Sequence, residues 1–186
     1  DPVLGTMADF ETLMVEAHCR GIKVVMDLVL NHTSDQHRWF VASRSSRDNP
    51  KRDWYIWRDG EGKGNPPNNW LANFGGSAWT WDEATEQWYL HGFLPEQPDV
   101  NWRNPAVKAA MFDIVRFWLE RDVDGFRLDV VNHYIKDDQF RDNPRRPGFH
   151  LPPYDRQRHI YDKDRPEIHP ILRELRRVVD SYPARM

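Results

Sequence analysis

Apolar residues fall at helical spacing in three stretches of this chain and at strand spacing in two others. Phe10, Leu13, Met14 and Ala17 lie three and four residues apart, which predicts a helix over residues 6–20 with that face toward a core. Thr6 is placed to cap it, with Asp9 at the position of a capping box and Gly21 as the stop. Residues 22–30 form a nearly continuous apolar run, the pattern of a parallel strand covered on both faces. A second helix is predicted over 106–121, entered through Asn104-Pro105, with Val107, Ala110, Met111, Ile114, Val115, Trp118 and Leu119 as its buried face. It leads into residues 123–130, where Gly125, Arg127 and Asp129 share one strand face and Phe126, Leu128 and Val130 the other. A last helix, over 167–182, carries Ile171, Leu175, Val178 and Val179. A helix followed by an apolar strand, twice over, argues for an α/β architecture.

Between residues 34 and 102 the pattern changes. Pro66-Pro67-Asn68-Asn69, Gly75-Gly76 and the glycines at 60, 62 and 64 break it with turns. Two short strands are expected, 77–81 and 87–91, joined by a hairpin turn at Asp82-Glu83-Ala84-Thr85. Gly60-Glu61-Gly62-Lys63-Gly64 lacks the Lys-Ser/Thr ending of a phosphate loop and a following helix, so it reads as a flexible loop. Residues 137–165 are charged and proline-rich and predict an irregular course over the surface.

Composition adds constraints rather than a class. With 186 residues, a net charge of −3 and 39% hydrophobic content, the chain suits an ordinary globular fold and gives no reason to invoke nucleic acid or membrane. The Arg141 to Arg146 run is flanked by acidic residues and reads as a solvated loop. No apolar run is long enough to span a bilayer. The single cysteine, Cys19, excludes an internal disulfide and suits a reducing compartment, the cytoplasm; with His18 it is expected to be structural or exposed. Nine tryptophans suit stacking against flat sugar faces, although core packing accounts for any one of them.

The chemistry concentrates at strand ends. Burying Arg127 and Asp129 together costs several kcal/mol unless they pair and find further hydrogen bonds, and a strand end that opens onto a cleft avoids that cost. A carboxylate held ionised by a guanidinium there fits a nucleophile in glycosyl transfer; taken alone, the motif is better read as an ordinary Arg–Asp pair on a strand. A second block, Asp27-Leu28-Val29-Leu30-Asn31-His32, also ends an apolar strand with a carboxylate, and Gln97-Pro98-Asp99-Val100-Asn101-Trp102 lies between the two.

Those three blocks, in that order, resemble the α-amylase superfamily of glycoside hydrolases, and within it the oligo-1,6-glucosidase and α-glucosidase branch. The resemblance implies a partial (β/α)8 TIM barrel: strands 3 and 4 with flanking helices. About 100 residues separate Asp27 from Asp129, whereas a barrel unit takes roughly 30, so an inserted subdomain after strand 3 is expected. The expected divisions are 1–33 (helix and strand 3), 34–102 (inserted subdomain) and 103–186 (helix, strand 4, loop and helix). The resemblance further implies that the chain is an interior piece. The general acid/base glutamate would end the next strand, past Met186, and a stabilising aspartate would come later, leaving the piece alone inactive and poorly stable.

By the same resemblance Asp129 is the nucleophile, kept ionised and aimed by Arg127. Asp27 and His32 bind sugar hydroxyls, Phe74 and Phe93 line the pocket, and Gln97 stands beside them. Val130 bears on linkage, valine there going with α-1,6 bonds and threonine with α-1,4; the segment Arg141 to Pro144 points instead to α-1,4 disaccharides. The expected activity is an exo-acting α-glucosidase on short oligosaccharides, with linkage open. A glucosyl-transferring or isomerising relative would share every residue quoted; a non-enzymatic barrel such as a transporter heavy-chain ectodomain tends to lose the catalytic carboxylates, and the presence of Asp129 and Arg127 argues against it. Asn31 is a calcium ligand in many amylases of the superfamily, but the surrounding acidic block does not match that site. Neither metal nor cofactor is expected, and the partner is an oligosaccharide.

Overall fold

The computed structural model describes residues 2–183; the ends of the expected terminal segments, at Asp1 and at 184–186, lie outside the described residues. Helix α1, Met7–Cys19, begins as its sequence predicts. The Thr6 hydroxyl accepts from Asp9 N at 3.2 Å while Asp9 accepts from Thr6 N at 2.8 Å, a reciprocal capping box. It ends in a Schellman motif, Gly21 N donating to His18 O and Ile22 N to Ala17 O, each at 2.9 Å. Gly21 has a φ of +70°, open to glycine at no steric cost. Met14 and Ala17 are buried and Phe10 meets Trp118 edge to face at 5.1 Å. Leu13, expected in that face, is 56% exposed; the contact stripe follows 10, 14 and 17, and Leu13 stands one step around the helix.

Strand β1, Val25–Leu28, pairs in parallel with the later strand β5, Gly125–Leu128, with Asp27 opposite Arg127. The run 22–30 is therefore strand over four residues only. Its expected cover on both faces is absent, since Ile22, Val25 and Val29 are exposed. A parallel strand is buried only when both edges and both faces have neighbours, and β1 pairs with β5 alone among the described residues. Asp124, 1% exposed, ties the base of the pair together: its carboxylate accepts from Val24 N, Lys23 Nζ and His18 Nε2, each at 2.8 Å. These donors hold its carboxyl well below the ordinary carboxylate range despite burial. His18 is thus structural, and Cys19 is free and exposed.

Residues 29–104 build a second sheet. The expected hairpin forms as β3, Trp79–Asp82, and β4, Gln87–Leu90, with β2, Trp57–Arg58, on the other edge of β4 in the order β2-β4-β3. Asp82 belongs to the strand rather than the turn. It is fully buried and anchors the turn by accepting from Thr85 N at 3.0 Å and Thr85 Oγ1 at 2.6 Å. A short helix, α2 at Arg38–Ser45, precedes β2; neither was visible in the sequence pattern. The nine tryptophans are core material: five are buried and the other four half-buried.

The glycine run 60–64 is less free than its composition suggests. A Cβ on Gly60 would fall on the Asn65 carbonyl and 2.6 Å from Trp88 Nε1. Gly60→Ala is therefore expected to destabilise the protein by roughly 1–3 kcal/mol through overpacking, read as a lower denaturation midpoint; an unchanged midpoint would show that this loop yields.

Helix α3, Pro105–Leu119, starts with the Asn104 side chain accepting from Ala106 N at 2.9 Å and proline in its first turn. It buries Val107, Met111, Phe112, Val115 and Leu119 against β1, β5 and α4 (Ile168–Asp180), whose Ile168, Ile171, Leu175 and Val179 complete the core. Most of 137–165 is irregular, as expected.

Candidate active site

The three sequence blocks converge at the C-terminal ends of the parallel strands. Because β1 and β5 run in register, Asp27 and Arg127 are cross-strand partners. Arg127 Nη2 donates to Asp129 Oδ1 at 2.8 Å, and Arg127 Nη1 donates to Asp27 Oδ2. One guanidinium thus bridges both strand-end carboxylates, a geometry its planar fork supports. Asp27 above all, and Asp129 with it, raise the affinity of Arg127 for its proton. Asp129 is half-buried; Arg127 and Asp27 are exposed.

The middle block reaches the site by a ladder outside either sheet. His32 bridges Asp99 antiparallel, Val100 N donates to Asn31 O at 3.0 Å, and Asp35 N donates to Glu96 O at 2.9 Å. This sets His32 Nε2 3.2 Å from the Gln97 side-chain amide and the His32 ring 5.4 Å from that of Phe93. Phe74, 71% exposed, stands 5.9 Å from Phe93 at the outer end of the row. Burial lowers the pKa of His32, against the pull of Asp99 and Asp129, so the ring is neutral near pH 7.

Val130 departs from its expected place. The strand ends at Leu128, and Val130 adopts φ 40° and ψ 41°, left-handed, before the 3-10 turn Val131–His133. Left-handed backbone is rare for a β-branched residue and costs of order 1–3 kcal/mol. Val130 therefore does not continue the Phe126, Leu128 face; it turns the chain away immediately after Asp129.

Beneath the row lies a polar core that the sequence did not reveal. Asp99, fully buried, accepts from Asn31 Nδ2 at 2.9 Å and Gly92 N at 3.1 Å, and pairs with Lys136 Nζ at 2.8 Å. Lys136, 5% exposed, also donates to the His133 carbonyl. A cation held by Asn31 and Asp99 would need this position, and the Lys136 ammonium already supplies the positive charge there. Asn31 itself presents its amide nitrogen to Asp99. The residues do not fit a metal at this place, and among the described residues no group of three or more His, Cys, Asp or Glu is arranged to hold one. Tyr134, stacked on Trp102 at 4.7 Å, lies below Asp129; burial first, and the nearby Asp129 charge second, raise the pKa of its phenol. Asp99 stood in a block the sequence singled out, but Lys136 and Tyr134 carried no signal of their own.

His133 packs 5.2 Å from Phe93, and burial, with Lys136 adding, lowers its pKa to about 3. Unfolding returns it to an ordinary value of 6.5. Between those values the unfolded chain binds the extra proton, so stability falls as pH is lowered, by up to about 1.4 kcal/mol per pH unit for this group. Denaturant titrations at pH 7 and pH 5 should show a shallower acid loss in His133→Gln; an identical slope would contradict a neutral buried ring.

The model of the alpha amylase catalytic domain matches residues 1–186. A probable alpha-glucosidase of Rhizobium meliloti is 55% identical over 99% of this chain and 35% of its own length. An oligo-1,6-glucosidase of Halalkalibacterium halodurans is 50% identical over 92% of this chain and 30% of its own. The crystal structure of an alpha-glucosyl transfer enzyme superposes with a TM-score of 0.95 at 50% identity, over 99% of this chain and 36% of that one. The chain thus spans about a third of the length of the relatives it matches.

Proposed function

Because this chain belongs to the alpha-amylase catalytic-domain family, whose fold is a (β/α)8 barrel, we propose that it is the strand 3 to strand 4 portion of a retaining, exo-acting α-glucosidase. In this reading β1 and β5 are barrel strands 3 and 4, and residues 34–102 form the inserted subdomain that walls the substrate pocket. Their separate antiparallel sheet supports that division. The observation that carries the functional reading is the Arg127 bridge to Asp27 and Asp129 at adjacent ends of parallel strands.

Asp129 attacks the anomeric carbon of a terminal glucosyl unit while a glutamate outside this chain protonates the leaving oxygen; the same glutamate then activates water. Arg127 aims Asp129 through the Nη2 to Oδ1 hydrogen bond. Asp27 and neutral His32 hydrogen-bond sugar hydroxyls, Gln97 fixes the His32 ring, and Phe93 and Phe74 form the apolar wall. No metal or cofactor enters the mechanism. Among the described residues no helix is long and apolar enough to cross a membrane, and the free Cys19 supports a cytoplasmic setting.

Side-by-side kcat/KM values of the full-length protein on maltose and isomaltose test this reading, which fails if neither is cleaved. Val130→Thr is expected to move the ratio of the two toward maltose by about 5- to 150-fold, the scale of one pocket contact worth roughly 1–3 kcal/mol. An unmoved ratio would remove Val130 from linkage choice. A glucosyl-transferring enzyme is the second reading, favoured by the likeness to an alpha-glucosyl transfer enzyme. Product analysis at high sugar concentration separates free glucose from transferred glucose.

A further inference from the structure

The long loop after β5 carries a charge excess that the candidate active site does not use. Residues 141–158 hold five arginines against two aspartates in a chain whose net charge is −3. Arg141 is engaged by Asp137 through two hydrogen bonds, Nε to Oδ2 at 3.0 Å and Nη2 to Oδ1 at 2.7 Å. Arg145, Arg146 and Arg156 are different. Together they line an open cleft of about 480 Å³ with Asn69, Leu71 and Gln157. Among the described residues none of the three is ion-paired to a carboxylate; Arg156 has one bond, from Nε to the His150 carbonyl at 3.1 Å. Three uncompensated guanidiniums around one space repel one another unless an anion joins them.

The cleft is built rather than incidental. Arg146 N donates to Arg156 O and Arg158 N to Pro144 O, each at 2.8 Å, and Arg145 bridges Gln157 antiparallel, so both arms form a short ribbon. The ribbon is fastened to the segment at Asn69. Gln157 Nε2 donates to Asn69 O at 2.6 Å, Asn69 Nδ2 to Asn143 O at 3.0 Å, and Asn143 N to Asn69 Oδ1 at 2.9 Å. That segment then leads to Phe74, within about 10 Å of Leu71 by chain reach, and Phe74 is the outer member of the row that begins at His32. One short segment therefore joins the arginine cleft, through Leu71, to Phe74 at the outer end of that row.

We propose that this cleft binds an anionic group, phosphate or carboxylate, on the leaving-group portion of the substrate. The inference rests on the glucosidase reading for what occupies the inner pocket. Guanidinium forks match both oxyanions, and the neutral wall residues leave the arginines as the discriminating contacts. An anionic acceptor sugar would bind the same way in a transfer reaction.

Titration of the full-length protein with glucose 6-phosphate, glucuronate and glucose, at low and high salt, tests this directly. Glucose 6-phosphate is expected to bind at least tenfold more tightly than glucose at low salt. That advantage should fall to within about twofold in Arg145→Gln/Arg146→Gln/Arg156→Gln. A matching advantage for glucuronate extends the site to carboxylates; its absence restricts it to phosphates. Equal affinities in the parent, or an advantage that survives the triple variant, overturns the proposal. Maltose cleavage by the same samples reports on the glucosidase reading separately. Its absence would strike that reading while the titration still judged the cleft, and the triple variant should retain the parent's kcat/KM on maltose.

Discussion

On the proposed glucosidase reading, replacing Asp129 by asparagine in the full-length protein is expected to lower kcat/KM on maltose by about 10⁴-fold or more, with the loss in kcat. The amide is isosteric and keeps an oxygen to accept from Arg127 Nη2, which now donates to Asp129 Oδ1 at 2.8 Å, so the fold and the sugar contacts persist. Only the nucleophilic charge disappears. Since the covalent step is the reason for the second carboxylate in a retaining glycosidase, binding and orientation alone remain. An unchanged melting temperature is expected to accompany this loss. A loss below tenfold would show that Asp129 does not form the bond to sugar.

The second large effect is on stability. Lys136→Met removes the ammonium that pairs with the fully buried Asp99 and donates to the His133 carbonyl. Asp99 keeps Asn31 and Gly92 as donors, but its charge is left without a counter-ion in a site closed to water. Breaking a buried pair from one side costs about 3–5 kcal/mol. Lys136→Met/Asp99→Asn should recover a part of it, since the uncompensated charge is gone. Full stability in Lys136→Met would contradict the account of this core.

Much of this was legible because local chemistry and pattern agree. The α1 capping box, the proline entry of α3 and the hairpin of β3 and β4 each follow from a few neighbouring residues, and all three form. Arg127 and Asp129 were readable as a pair because they lie two apart on a strand. What joins the blocks was not readable: the ladder of 31–35 on 96–100 is formed by irregular segments with no periodicity to follow. Lys136 and Asp124 gave no signal, since their meaning lies in partners far away in sequence, Asp99 for one and His18, Lys23 and Val24 for the other. Val130 misled in a specific way. A β-branched residue after an alternating run reads as strand, and its left-handed backbone is imposed by the turn after Asp129. Leu13 misled because apolar periodicity does not say how wide the buried stripe is, and Val29 because an apolar run does not say whether neighbours cover both faces of its strand.

The most direct test of the central claim is to trap the enzyme at half-reaction. The full-length protein would be incubated with a 5-fluoro-glucosyl fluoride, whose slow turnover lets a covalent glycosyl-enzyme accumulate, then digested and examined by mass spectrometry. The account predicts one labelled peptide, with the fluoroglucosyl group on Asp129. A label on any other carboxylate, or a working enzyme that accumulates none, would contradict it.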